Sequence, residues 1–232
     1  MAIAPVVFAA GVTTALGLRW LGTRSGVTGA DIARPLPGDE LVAAPALIVD
    51  RAAVLPAPAA EVWPWLVQLG KERAWWYLPA PLERLIWKRD KRGARLILPE
   101  LQGLEVGDRV PDWGPGAPLF EVATLDPPHA LVYHSMRQRS RGWTWPEPPD
   151  PLPTDALALS WALILDDLEE GRSRLHIRMR AAWGKGSISP WLSALGGLVD
   201  YLTIVVLFAG LKERLRVRGG GSLEPSPPVA GA

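Results

Sequence analysis

The sequence predicts an α+β fold in which a curved antiparallel sheet wraps around one long C-terminal helix. Three observations carry that prediction. The first is a period-two pattern in the second half of the chain, clearest over residues 172–183. There Arg174, His176, Arg178 and Arg180 alternate with Leu175, Ile177, Met179 and Ala181, as in a strand with one buried and one wet face. The second is the stretch 189–217. Between Trp191 and Leu211 it carries one charged residue, Asp200, so it is a membrane span or a helix enclosed by protein. The third is the order of elements: several strands with short connections precede this stretch. A curved sheet needs its concave face covered, and no other segment is long and apolar enough to cover it. Asp200 favours the enclosed helix, because a lone central carboxylate costs about 2.5–3.5 kcal/mol on membrane insertion.

Composition narrows the function. A chain of 232 residues with 48% hydrophobic content can bury a full core. The net charge of +1 gives no general argument for a nucleic-acid partner. Cysteine is absent, which removes disulfides, thiolate metal sites and a cysteine nucleophile. Only His129, His134 and His176 are present, so a multi-histidine metal centre is not expected. Twelve tryptophans stand against three tyrosines and three phenylalanines; indoles of this kind fill cores, line apolar pockets or settle at membrane interfaces.

Taken in order, residues 2–18 carry no charge and are followed by Arg19, Trp20 and Arg24. Seventeen helical residues reach about 25 Å, at the short limit for a bilayer core. Residues 1–21 are predicted as a membrane anchor that keeps the domain on the cytoplasmic side; a helix packed on the domain of a soluble cytoplasmic protein is the alternative. Residues 22–45 read as a linker with one helical turn near Asp31, and 218–232, rich in Gly, Pro and Ser, as a disordered tail. The domain is predicted over 46–217.

Within it, residues 46–55 form a first strand and 59–69 a helix ended by Gly70. Val62, Trp65, Leu66 and Leu69 share one face of that helix, and Pro64 should kink or split it. A second helix is predicted over 81–88 with Leu82, Leu85 and Ile86 inward, then a basic turn over 88–92. Residues 96–98, 109–113, 119–125 and 130–136 are extended. The proline-rich stretch 138–155 cannot lie in a sheet interior. Residues 156–165 and 172–183 form a hairpin whose turn holds Glu169, Glu170 and Gly171.

Several runs resemble a known family: 58–70 (PAAEVWPWLVQLG), 99–102 (PELQ), 106–108 (VGD), 126–132 (DPPHALV), 160–165 (SWALIL) and 171–175 (GRSRL), with 36–41 (LPGDEL) as lead-in. Over roughly residues 35–216 they are similar to the SRPBCC, or START-like, superfamily of polyketide cyclase/dehydrase and lipid-transport proteins, in its actinobacterial branch. The resemblance implies a helix-grip fold of the START/Bet v 1 type, with an apolar cavity between sheet and helix. The family shares no catalytic motif, so it assigns no catalytic residue.

The candidate ligand-binding residues are Trp75, Trp76, Tyr77, His134, Trp161, Asp200 and Tyr201. The first three form an aromatic rim at the cavity mouth or pack a loop. Asp200 and Tyr201 orient a polar ligand head, or Asp200 is buried against an arginine. His134 faces the cavity, or is an outward-facing or satisfied core histidine, whereas His176 shares the polar parity and is expected at the solvated surface. Trp143 and Trp145 form a lid or pack their own loop. Neither a phosphate-binding loop nor a nucleophile elbow is present, and no metal or other cofactor is expected. The function predicted is binding of a hydrophobic small molecule or lipid in an apolar cavity, with the membrane as a second partner and no nucleic acid. A cyclase or dehydratase acting on a polyketide-like substrate, and a ligand-free structural protein at the membrane, are the alternatives.

Overall fold

The computed structural model describes residues 23–113, 117–138, 152–184 and 190–219, with side chains of the last stretch described over 199–216. The elements in order are β1 (Arg24–Ser25), α1 (Gly29–Ala33), β2 (Leu47–Leu55), α2 (Ala59–Gln68), α3 (Ala80–Ile86), β3 (Arg109–Pro111), β4 (Leu119–Asp126), β5 (Ala130–Gln138), β6 (Ala156–Leu168), β7 (Arg172–Trp183) and α4 (Pro190–Gly219). The strands form one sheet in the order β1-β2-β7-β6-β5-β4-β3. Only the β1–β2 pair is parallel. A register shift between Val122 and Thr124 interrupts the β4–β5 ladder, which increases local twist and curvature.

The inner face of this sheet grips α4. Ile204, Leu207, Phe208, Leu211 and Leu215 lie three, one, three and four residues apart on one side of α4, and all are buried. They share a core with Leu131, Tyr133, Leu163, Leu165, Leu175 and Ile177 of the sheet and Val62, Trp65 and Leu66 of α2. The predicted α+β helix-grip architecture is therefore present. Among the described residues no helix is long and apolar enough to cross a membrane, so α4 is the enclosed helix rather than a span. Pro64 does not split α2, which continues through it from Ala59 to Gln68. The N-terminus of α2 is capped from a distance: Ala59 N–H donates to Asp167 Oδ1 at 2.7 Å.

Four expectations need correction. Residues 22–45 do not behave as a linker, because from Arg24 onward they cover the outer face of the sheet. Leu36 packs on Ala130, Val132, Ala162 and Ile164, and Val42 packs on Met136 and Ala158. Gly38 has φ +90°, and a Cβ there would lie 2.5 Å from Val132 Cγ1, so this close approach requires glycine.

The strand face carrying His176 and Arg178 is consequently not solvated. Both side chains are buried, and both bond to Asp50 Oδ1, at 2.8 Å and 2.7 Å respectively. Arg178 also donates to Asp39 and to the carbonyls of Asp31, Ile32 and Arg34. The parity of β7 was correctly read from its alternation, but the cover on its polar face was not.

Helix α3 is rotated relative to the prediction. Glu83 is its buried residue, held by Arg95 at 2.6 Å and Arg214 at 2.9 Å. Leu85 and Ile86 face outward, 83% and 54% exposed. An internal ion pair outweighs the apolar side chains at that position. Residues 96–98 form no strand. The anchor residues 1–21, Trp143 and Trp145, and the tail from residue 220 lie outside the described residues.

Candidate functional site

A cavity of about 410 Å³ lies between the inner face of the sheet and the N-terminal half of α4. Its walls come from separate parts of the chain: Trp76 and Trp87 flank α3, Trp113 and Phe120 flank the β3–β4 connection, and Leu159, Trp161 and Met179 project from β6 and β7. Asp200, Thr203 and Ile204 close it from α4. Strand parity explains the sheet contribution, since Leu159 and Trp161 share the inward face with Leu163 and Leu165.

Trp161 is the centre of the aromatic wall. Its ring stacks on Trp76 at 6.0 Å and on Tyr133 at 5.8 Å, with Phe120 tilted against it at 6.2 Å. Trp113 meets Trp76 edge-on at 5.7 Å. These offset and T-shaped arrangements hold the rings rigidly. Trp76 is further fixed by its indole N–H, which donates to the carbonyl of Thr203 at 3.2 Å. The turn after α2 selects which ring enters the cavity. Gly70 and Trp75 form an isolated bridge, and Trp75 adopts φ 60°, a left-handed conformation that is strained for a bulky residue. The chain leaves this turn with Trp76 lining the cavity and Tyr77 driven into the core.

Two carboxylates interrupt the apolar lining, and each has its own arginine. Asp112 pairs with Arg137 at 2.6 Å, and Asp200 Oδ2 accepts from Arg51 Nε at 2.9 Å. Arg51 is completely buried and also lies over the Tyr201 ring, 5.3 Å from its centroid. Burial raises the Asp200 carboxyl above the ordinary aspartate value, and Arg51 opposes the shift without cancelling it. Among the buried polar atoms of the lining residues, the indole N–H of Trp87 is without a partner.

The predicted residues therefore separate. Trp76, Trp161 and Asp200 line the cavity together. Tyr77 is fully buried away from it, its hydroxyl donating to the carbonyl of Trp65 at 2.9 Å and its ring beneath Arg214. The aromatic-rim reading thus fails for Tyr77. His134 does not face the cavity either. It shares its face with Val132 and Met136, which pack under residues 36–42, and burial lowers its pKa. Trp75 lies in the strained turn, and Tyr201 stays beside Arg51. Trp87, Asp112, Trp113, Phe120, Leu159, Met179, Thr203 and Ile204 complete the lining, none of them singled out from sequence as a site residue. For Leu159 and Met179 the signal was present as strand parity. For Trp87 and Trp113 it was not, because both sit where regular elements end.

The raised Asp200 pKa fixes the sign of a pH effect. The folded state binds this proton more tightly than the unfolded chain, so the stabilising contribution is complete below the ordinary value of 3.8 and is lost as pH rises through the raised value. Urea titrations of wild type and Asp200→Asn over that interval isolate it. The stability of wild type relative to the variant should fall as pH rises, and a rising difference would mean that Arg51 dominates burial.

Comparison with known proteins gives no sequence-level assignment: no family model matches the chain, and no curated protein does. Solved structures do match. Protein MLL2253 from Mesorhizobium loti is 18% identical with a TM-score of 0.39, the match covering 73% of this chain and 97% of that one. A conserved protein from Geobacillus kaustophilus is 14% identical with a TM-score of 0.42, covering 74% and 96%. The Polyketide_cyc-like protein Cgl2372 from Corynebacterium glutamicum is 12% identical with a TM-score of 0.41, covering 77% and 96%.

Proposed function

We propose that this domain binds a hydrophobic small molecule or lipid in the cavity between the sheet and α4. The observation that carries the reading is the lining. Rigid aromatic and aliphatic groups surround about 410 Å³, and the two carboxylates among them are each held by an arginine of the protein itself. Such a volume suits a drug-sized or single-chain apolar ligand. The cyclase or dehydratase reading draws support from one group, Asp200, because Tyr201 and His134 lie elsewhere.

Occupancy is tested by native mass spectrometry of the purified chain and by titration with N-phenyl-1-naphthylamine, a neutral apolar fluorophore. Wild type should carry a bound apolar molecule or take up the fluorophore. Leu159→Trp fills the space beside Trp161 and should weaken uptake at least about tenfold, the equivalent of roughly 1.4 kcal/mol, with the circular dichroism of a folded domain retained. A wild-type chain that carries nothing and takes up no probe sinks the proposal. Equal uptake by the two proteins does the same.

A further inference from the structure

The outer rim of the cavity has a composition that ligand binding does not explain. Leu85 and Ile86, at the end of α3, are 83% and 54% exposed, and the next residue, Trp87, is a cavity wall. On α4, Val199 and Leu202 are 54% and 57% exposed, and they bracket Asp200 and precede Thr203, both of which line the cavity. Large exposed aliphatic side chains thus neighbour cavity-lining residues on both α3 and α4. Beside the first pair is a dense group of cations: Arg84, Lys88, Arg89, Lys91 and Arg92, with Asp90 the only acidic residue among them. All but Arg92 are exposed. Among the described residues none of the five forms an ion pair, although ten other arginines of the chain do. Arg95, only a few residues on, is held by both Glu83 and Glu213.

We infer that this rim docks on an anionic phospholipid bilayer. Leu85, Ile86, Val199 and Leu202 would enter the headgroup–acyl boundary, while the basic cluster pairs with lipid phosphates. The two features suit different depths of the same surface: apolar side chains gain from the boundary, and cations gain from the negative potential just outside it. A nucleic acid would satisfy the cations alone and leave the four aliphatic side chains in water. The docking needs neither an identified cavity ligand nor residues 1–21, so it can fail while the cavity reading stands.

The chain has no cysteine, so a single introduced thiol can be labelled uniquely. In the full chain, Leu85→Cys carries an environment-sensitive nitrobenzoxadiazole dye. Glu169→Cys, at the exposed turn of the β6–β7 hairpin and away from the cavity, serves as the reference position. Vesicles of phosphatidylcholine mixed with phosphatidylglycerol should brighten and blue-shift the dye at position 85 and leave the dye at 169 unchanged. Vesicles of phosphatidylcholine alone should do neither. Adding Lys88→Glu, Arg89→Glu and Lys91→Glu should weaken the response at least about 100-fold, since each cation near an anionic surface contributes about fivefold. A water-like dye at position 85 on vesicles that do bind the chain overturns the proposal. So does an equal response after charge reversal, or tighter binding to duplex DNA or RNA than to the anionic vesicles.

Discussion

Replacing Arg214 with alanine should lower the unfolding free energy by about 3–5 kcal/mol, the range for breaking a buried charge pair. Its guanidinium is buried and joins four separate parts of the chain. It donates to the carbonyls of Ala94, Leu78, Gly210 and Gly93, bonds the Glu83 carboxylate at 2.9 Å, and sits 4.5 Å from the centre of the Tyr77 ring. Burial lowers its pKa and the neighbouring Arg95 charge adds to that, while the bonded Glu83 carboxylate opposes the shift. Alanine would leave Glu83 as a buried charge with Arg95 as its remaining partner, and would orphan several carbonyls. Arg214→Lys keeps the charge but cannot reproduce the planar set of donors, so it should recover less than half of the loss. Urea denaturation followed by circular dichroism reads both values. A loss below about 1 kcal/mol in Arg214→Ala, the scale of a surface pair, would show that α4 is held by its apolar side alone.

The second large effect is expected at Arg178, on the other side of the sheet. Arg178→Ala removes every bond that this side chain makes to Asp50, Asp39 and the carbonyls of residues 31, 32 and 34. It also leaves Asp50 buried with His176 as its partner. About 3–5 kcal/mol should again be lost, but locally: residues 24–43 should detach while the gripped helix stays in place. Limited trypsin digestion should then cut after Arg34 at a rate that no longer tracks global unfolding. If Arg34 stays protected in the variant, the apolar contacts of Leu36 and Val42 are sufficient to hold the segment.

These two arginines also mark how far the sequence could be read. The alternation in β7 revealed which residues face together, and the lone Asp200 placed α4 inside the protein rather than in a membrane. Both are local patterns. The contacts of Arg178 connect residues more than a hundred positions apart, largely through backbone carbonyls, which have no identity in a sequence. A segment rich in glycine, proline and small residues therefore read as a linker, although it supplies the cover for a whole sheet face. At α3 the error had the opposite origin. Leu85 and Ile86 fitted an inward stripe, but the buried Glu83 and its two arginines set the rotation of the helix. In the site itself, Trp76 and Tyr77 are neighbours with opposite destinations, decided by a left-handed turn at Trp75 that aromatic composition alone does not encode.

The paired carboxylates have a consequence for selectivity. Asp112 and Asp200 each stand beside an arginine, so the wall is polar at two points and electrically balanced at both. A molecule entering with a net charge finds no spare counter-ion, and the desolvation penalty for an ion in such surroundings is several kcal/mol. A neutral molecule meets no such barrier. On the proposed function the chamber would therefore filter on net charge, favouring uncharged molecules while the basic cluster near α3 remains outside it.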